Sequence, residues 1–536
     1  MSASKLALTQ RIQKQVLPNG LTLLVGQNQQ SPVCAIVVYV KAGYFHEADE
    51  ISGIAHLLEH MIFKGSQKFA EPEQAAKKIK SLGGSINALT NYDRTAYYVF
   101  LPREYLELGI EVLADIVLYP RFDPLELARE IEVVVEESNR KLDNPEVLAR
   151  EKLFEIAFTR HRMRRWRIGY PEILRRIDRT TLARFHAELY RPANMIVSVV
   201  GDVEIAPTLA LIQQAFGTYE AGHVIKEKSP SEPAQRQFRF GREFGHINSA
   251  YLMIGFHMPP AFSRASLGLA LLATIIGQGQ SSRLYEGLRR QAGLVEGISS
   301  ETLAFEDVGI FMIKAEMAPS HCARATEKIF DILRSFQTDG PTPEELLKAR
   351  NIIESSYLFE QQDVLAQALA LARCESTEDY HLLDRALGTL RRFSAEELRR
   401  VAVRYLNFKQ ASLLEYLPQS EKSQVGPDHW SPPPSASQSL RIPPKMTRSD
   451  AVITKLSNGI TVISRERGQL PIISLGIYLR GGKIAESPEN CGITNLLRRT
   501  LRQGTRNRSA VQISRQMEYL GTDCDILANR DTFSVS

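Results

Sequence analysis

Two histidines and a glutamate share one short apolar run, GIAHLLEHMIFKG, from Gly53 to Gly65. His56 and His60 stand four apart, one turn of a helix, so both imidazoles can reach a single ion from one face, with Glu59 on the adjoining strip. Zinc takes nitrogen and carboxylate ligands, and a catalytic zinc keeps one position open for water. Two histidines therefore need a carboxylate from elsewhere in the chain. The competing reading makes them core histidines that cap or hydrogen-bond locally. It leaves Glu59 as an unpaired carboxylate in an apolar helix, a cost that a cation would remove.

A second element has to bring that carboxylate. The stretch DPLELAREIEVVVEESNRKLDNPE opens with Asp123-Pro124, a helix start, and Leu127, Ile131 and Val134 give it one apolar stripe. Glu130 and Glu137 are seven apart, two turns along one face. Glu136 points about 100° away from its neighbour. Spacing alone leaves both Glu136 and Glu137 open as the ligand.

The sequence repeats. LPNGLTLLVGQNQQSPVCAIVVYVKAGYFHE near the start matches LSNGITVISRERGQLPIISLGIYLRGGKIAE at a constant offset of 439 residues. Asn19-Gly20 falls on Asn458-Gly459, Glu47 on Glu486 and Gly53 on Gly492. Each copy reads as strand, Asn-Gly turn, strand, helix, helix, strand. Between them lie a first region, 14–230, closing with YRPANMIVSVVGDVE, and a second, 236–420, with a Gly-rich IIGQGQSSRLYEGLRRQAGL. Residues 421–450 are rich in Pro and Ser and read as a linker. Residues 451–536 form an incomplete copy of the first region, so the expectation is a fragment of a longer protein.

The length of 536 residues suits about three domains. A hydrophobic share of 43%, a charged share of 24% and a net charge of +5 describe an ordinary globular protein. The basic runs RHRMRRWRIG (Arg160 to Gly169) and LRRTLRQGTRNR (Leu497 to Arg508) lack interleaved aromatics, so no nucleic-acid partner is expected and a solvated face is the default for both. The first run leaves open a preference for acidic substrate segments. Five scattered cysteines build neither a disulfide framework nor a thiolate zinc site. No membrane span or signal peptide is visible, which reads as cytoplasmic, or as periplasmic or organellar if the first Met is not the natural start.

These motifs together resemble the M16 metallopeptidases, the pitrilysin and insulinase family that includes the mitochondrial processing peptidase. That family carries an inverted His-x-x-Glu-His motif followed, after a long gap, by Glu-x6-Glu. Here 69 residues separate HLLEH from Glu130, and six more separate Glu130 from Glu137. LGGSINALTNYDRTAYY, YRPANMIVSVVGDV and GQGQSSRLYEGLRRQAGL fit as well. The resemblance implies that His56, His60 and Glu137 ligate one Zn2+, that Glu59 activates the zinc-bound water, and that Glu130 orients a ligand. It also implies that substrate adds as a strand beside GGSINALT, near Asn87 and Ala88.

The implied fold is α+β, in tandem M16-type (LuxS/MPP-like) domains, each a mostly antiparallel sheet packed on helices. The implied activity is zinc endopeptidase action on unfolded peptides held in a chamber between two halves. In the second copy His56, Glu59 and His60 become Asn495, Arg498 and Arg499, a set that repels a cation. The family's paired Arg and Tyr, which hold the substrate carbonyl, are incomplete: Arg289 fits, but Glu296 stands at the Tyr position. Arg289 therefore reads as structural. The alternatives are a non-catalytic scaffold and a subunit needing a second half or partner to complete its site.

Overall fold

Asn19-Gly20 makes the tight turn its sequence asks for. Gly20 takes φ +92 and the Asn19 side chain accepts from the Leu21 N–H at 3.2 Å. Gly459 (φ +88) and Asn458, accepting from Ile460, repeat the device in the second copy. In this computed structural model, residues 9, 11–423, 452–464 and 472–536 are described. Most of the expected linker, 424–450, lies outside the described residues.

The first region builds a six-stranded sheet from β1 (Ile12–Val16), β2 (Thr22–Gln27), β3 (Val33–Val40), β4 (Ser85–Thr90), β5 (Thr95–Pro102) and β6 (Met195–Gly201). The order is β1-β2-β6-β3-β5-β4, antiparallel except for the β2–β6 pair. Both β3 and β6 are apolar almost throughout because both faces of the sheet are covered. The second region builds β7 (Arg239–Gly245), β8 (Ala250–Met258), β9 (Gly297–Ala304), β10 (Gly309–Met317) and β11 (Ala411–Pro418), in the order β7-β11-β8-β10-β9 with only β7–β11 parallel. Both sheets are thus mostly antiparallel and packed on helices, the α+β arrangement expected.

Two helices carry the zinc-type motif, α1 (Ile54–Ile62) and α2 (Pro124–Leu142). A third, α3 (Pro145–Ala157), crosses to the other region, where Leu153 and Ile156 pack on Gly255 and Gly241 of the second sheet. The exchange is reciprocal. Among the second region's helices, α4 (Pro343–Glu360) is followed by α5 (Val364–Thr377). Val364, Ala368, Leu371 and Ala372 of α5 cluster with Val37, Tyr39, Ile196 and Val200 of the first sheet. The β9–β10 turn adds polar contacts. Glu306 accepts from His46 at 2.8 Å and from Lys226 at 3.1 Å, and His46 donates through Nε2 because its Nδ1 accepts the Gly43 N–H. The two regions are interlocked.

The second copy forms a hairpin, β12 (Val452–Lys455) with β13 (Thr461–Ser464), and a sheet of β14 (Ile477–Arg480), β15 (Ile526–Ala528) and β16 (Thr532–Val535). Its helices are α6 (Ile493–Thr500) and α7 (Ala510–Leu520). In the first copy β6 lies between β2 and β3 and fuses everything into one sheet. Among the described residues no strand fills that place in the second copy, and its two sheets stay separate.

Candidate metal and catalytic centre

α1 begins at Gly53, whose φ of +97 and close approach to the Ile168 carbonyl leave no room for a side chain; a Cβ there would sit 2.4 Å from that oxygen. Two of the N–H groups at this start are taken by one carboxylate. Glu47 accepts from Gly53 and Ala55 at 2.9 Å each, and is 1% exposed. Burial raises Glu47 to about 7 against the pull of Arg165. In the second copy Glu486 does the same for Gly492 (2.8 Å) and Thr494 (3.0 Å), although that helix has lost its ligands. The carboxylate cap therefore belongs to the helix start, and the repeat already marked it by matching Glu47 to Glu486.

The basic run at Arg160 to Arg167 differs from the solvated face expected of it. Arg162 and Arg165 are each 8% exposed and turn inward. Arg165 donates to the Tyr44 carbonyl at 2.8 Å, to the Glu47 carbonyl at 3.3 Å and to Asp49 at 2.8 Å. Arg162 donates to the Phe45 carbonyl at 3.0 Å and to Glu227. These guanidiniums satisfy carbonyls of the 44–49 segment, which delivers Glu47 to α1. Only Arg160 and Arg164 of the run are exposed. Cationic heads buried by long-range contacts leave no local trace in sequence. The second run fits its expectation, with Arg498 and Arg499 in solvent.

On the face of α1 turned to α2, His56, His60 and Glu137 offer ligand atoms within 4.8 Å of one another, and they form the one such group among the described residues. Glu137 Oε2 lies 3.8 Å from His56 Nε2 and 3.6 Å from His60 Nε2. These separations exceed a hydrogen bond and approach the spacing of neighbouring ligands on one tetrahedral ion. Glu130 Oε2 holds His60 Nδ1 at 3.0 Å, while Glu130 Oε1 meets Lys64 at 2.7 Å. With its proton on Nδ1, His60 turns a lone pair towards the Glu137 carboxylate, an arrangement that a cation relieves. Without one, the Glu130 hydrogen bond and the nearby Glu137 carboxylate overcome burial and raise His60 to about 9, whereas burial and His60 lower His56 to about 4. The donor set and its geometry fit zinc. Lys141 holds the other Glu137 oxygen at 2.6 Å. Glu136, the rival from spacing, is exposed and outside the cluster.

Glu59 reaches the same cleft. Its Oε2 is buried without a hydrogen-bond partner, and burial raises its pKa against the opposing hydroxyl of Thr90. Beside it runs β4, the edge of the first sheet. The Ala88 N–H is held by the Asn87 side-chain oxygen at 2.8 Å, with Asn87 itself exposed. Arg289 lies elsewhere, over the ring of Tyr285 on its own turn at 5.6 Å.

Comparison with known proteins bears on the family. The model of the insulinase family, peptidase family M16, matches residues 22–169 and again 461–535, and that of the M16 inactive domain matches 176–353. The chain belongs to the M16 peptidase family. The double match falls on the two copies of the repeat. An uncharacterized zinc protease of Bacillus subtilis, YmxG, is 27% identical over 349 residues, 65% of this chain and 84% of that one. One from Rickettsia bellii is 29% identical over 351 residues, covering 65% and 83%. The fold is also that of a Helicobacter pylori protease (TM-score 0.71, 23% identity, 76% of this chain and 99% of that one). The first half of the Escherichia coli periplasmic protease PqqL is similar too (0.65, 19%, 77% and 93%). No helix among the described residues is long and apolar enough to cross a membrane.

Proposed function

We propose that this chain is a zinc-dependent endopeptidase for unfolded peptides, with 14–230 and 236–420 as its two interlocked domains. The carrying observation is the convergence of His56, His60 and Glu137 beside the buried, partnerless oxygen of Glu59. The names of relatives as zinc proteases support the same metal. His56, His60 and Glu137 would hold the ion. When bound, zinc supplies a Lewis acid that polarises a carbonyl and makes water a nucleophile near neutral pH.

The residues of the chain do the rest. Glu130 fixes the tautomer and aim of His60, as its 3.0 Å hydrogen bond requires. Glu59 takes the proton of the attacking water on its free oxygen and gives it to the departing amine; burial, which raises its pKa, suits it to carry that proton. An extended peptide pairs with β4, taking the Ala88 N–H after Asn87 swings aside, and so lays its backbone across the cleft. The groups that hold the substrate carbonyl come from a second half or a partner subunit, since Arg289 is engaged with Tyr285.

The test is hydrolysis of a quenched fluorescent peptide library by the purified chain, before and after chelation, with zinc then restored. Cleavage that disappears with the metal and returns with it is the expected result. A metal-loaded chain that cleaves nothing, even with a second half or partner subunit added, would leave the scaffold reading in its place.

A further inference from the structure

α7 of the second copy rests on α4 of the second region, and one acid makes the junction. The Glu518 carboxylate enters a recess formed by the 278–282 loop and α4. It accepts from the Ser281 backbone N–H at 3.2 and 3.3 Å and from the Ser281 hydroxyl. Lys348 closes the recess from α4, with its ammonium 3.3 Å from Glu518 and 2.6 Å from the Ser281 hydroxyl. Lys348 is only 5% exposed, although among the described residues its one carboxylate contact is with Glu518.

The backbone on both sides is shaped for this approach. Gly279 has φ +83, and a Cβ on it would stand 2.6 Å from the Glu518 carboxylate. Gly521, the left-handed cap of α7, would drive a Cβ to 2.4 Å from Ser355 and 2.6 Å from the Asn351 carbonyl of α4. Asn351 donates to the Tyr519 carbonyl at 2.6 Å, and Ser514 donates to Gln280 at 3.1 Å. Elsewhere the second copy is open to solvent, with Ile473, Leu475, Tyr478 and Ile484 well exposed.

We propose that Ser281, Lys348 and the Gly279 backbone form a carboxylate socket on the second region, and that Glu518 is the plug that latches the second copy onto it. The socket requires a negative charge at the reach of a glutamate. Removing the plug leaves a nearly buried ammonium without a counter-charge, and removing the ammonium leaves a half-buried carboxylate without one, so either change opens the latch. A glutamine would turn an amide N–H2 towards Lys348. An aspartate is one methylene too short. The latch is independent of the metal and of the peptidase chemistry.

The test is a pulsed electron-spin distance measurement on the full chain. Spin labels go on the exposed Cys491 of the second copy and on a cysteine replacing the exposed Glu344 of α4, with Cys524→Ser to avoid double labelling. The expected result is one narrow distance in the otherwise native chain. That peak is lost to a broad, longer distribution in both Glu518→Gln and Lys348→Met. A narrow peak that survives in Glu518→Gln or in Lys348→Met, or one that is already absent from the native pair, overturns the proposal.

Discussion

In the proposed site Glu130 orients a ligand without touching the metal. Its two oxygens are divided between His60 and Lys64, so Glu130→Gln would place an N–H2 against a neighbour that is itself a donor. Zinc affinity, read by competition with a chromophoric chelator, is expected to fall by roughly ten- to a hundredfold, the usual cost of losing such an orienting partner. Wild-type affinity in that variant would contradict the orienting role. Glu47 makes a different prediction because its charge is buried at a cost. Its folded pKa of about 7 lies above the ordinary carboxylate value, so between the two the folded chain holds a proton that the unfolded chain has released. Stability from this group therefore falls as pH rises through that window, and the loss is complete above about 7. The melting temperature of wild type minus that of Glu47→Gln, followed from about pH 5 to about pH 8, should move steadily against wild type. A difference that does not change with pH would show that Glu47 titrates normally.

At the scale of elements, the exchange of α3 and α5 makes the two sheets depend on each other. Leu371 is 4% exposed, and it is carried by the second region but buried on the first sheet. Leu371→Ala should cost about 2–5 kcal/mol. Hydrogen exchange should then show β3 and β6 losing protection together with the α5 amides, since the cavity opens on the first sheet. Loss confined to the second region would mean that the helix is not a shared wall. The edge strand β4 has the opposite character: it pairs with β5 alone, and its Ala88 N–H is taken by the Asn87 side-chain oxygen.

Across the whole molecule, what sequence reveals follows the range of the interaction. The spacing of His56, Glu59 and His60 within one helix, and of Glu130 and Glu137 within another, is local, and local periodicity predicts which side chains share a face. The repeat was equally plain, because Asn19-Gly20 and Asn458-Gly459 make the same turn for the same reason. The choice between Glu136 and Glu137 needed a resemblance, since it depends on how α2 is rotated against α1. Three features left no local signal: the inward turn of Arg162 and Arg165, the crossing of α3 and α5, and the Glu518 plug. Each pairs residues far apart in the chain, where charge and hydropathy patterns carry no partner information.

The central claim is that three residues hold the metal while a fourth moves the proton, and Glu59→Gln separates the two. The measurement is the cleavage rate of a peptide substrate by zinc-loaded Glu59→Gln beside zinc-loaded wild type, each with its metal content determined on the same sample. The expected result is one zinc per chain in both proteins, with cleavage reduced in the variant by about a hundredfold or more, the scale of a lost general base. Equal rates at equal metal content would contradict the account.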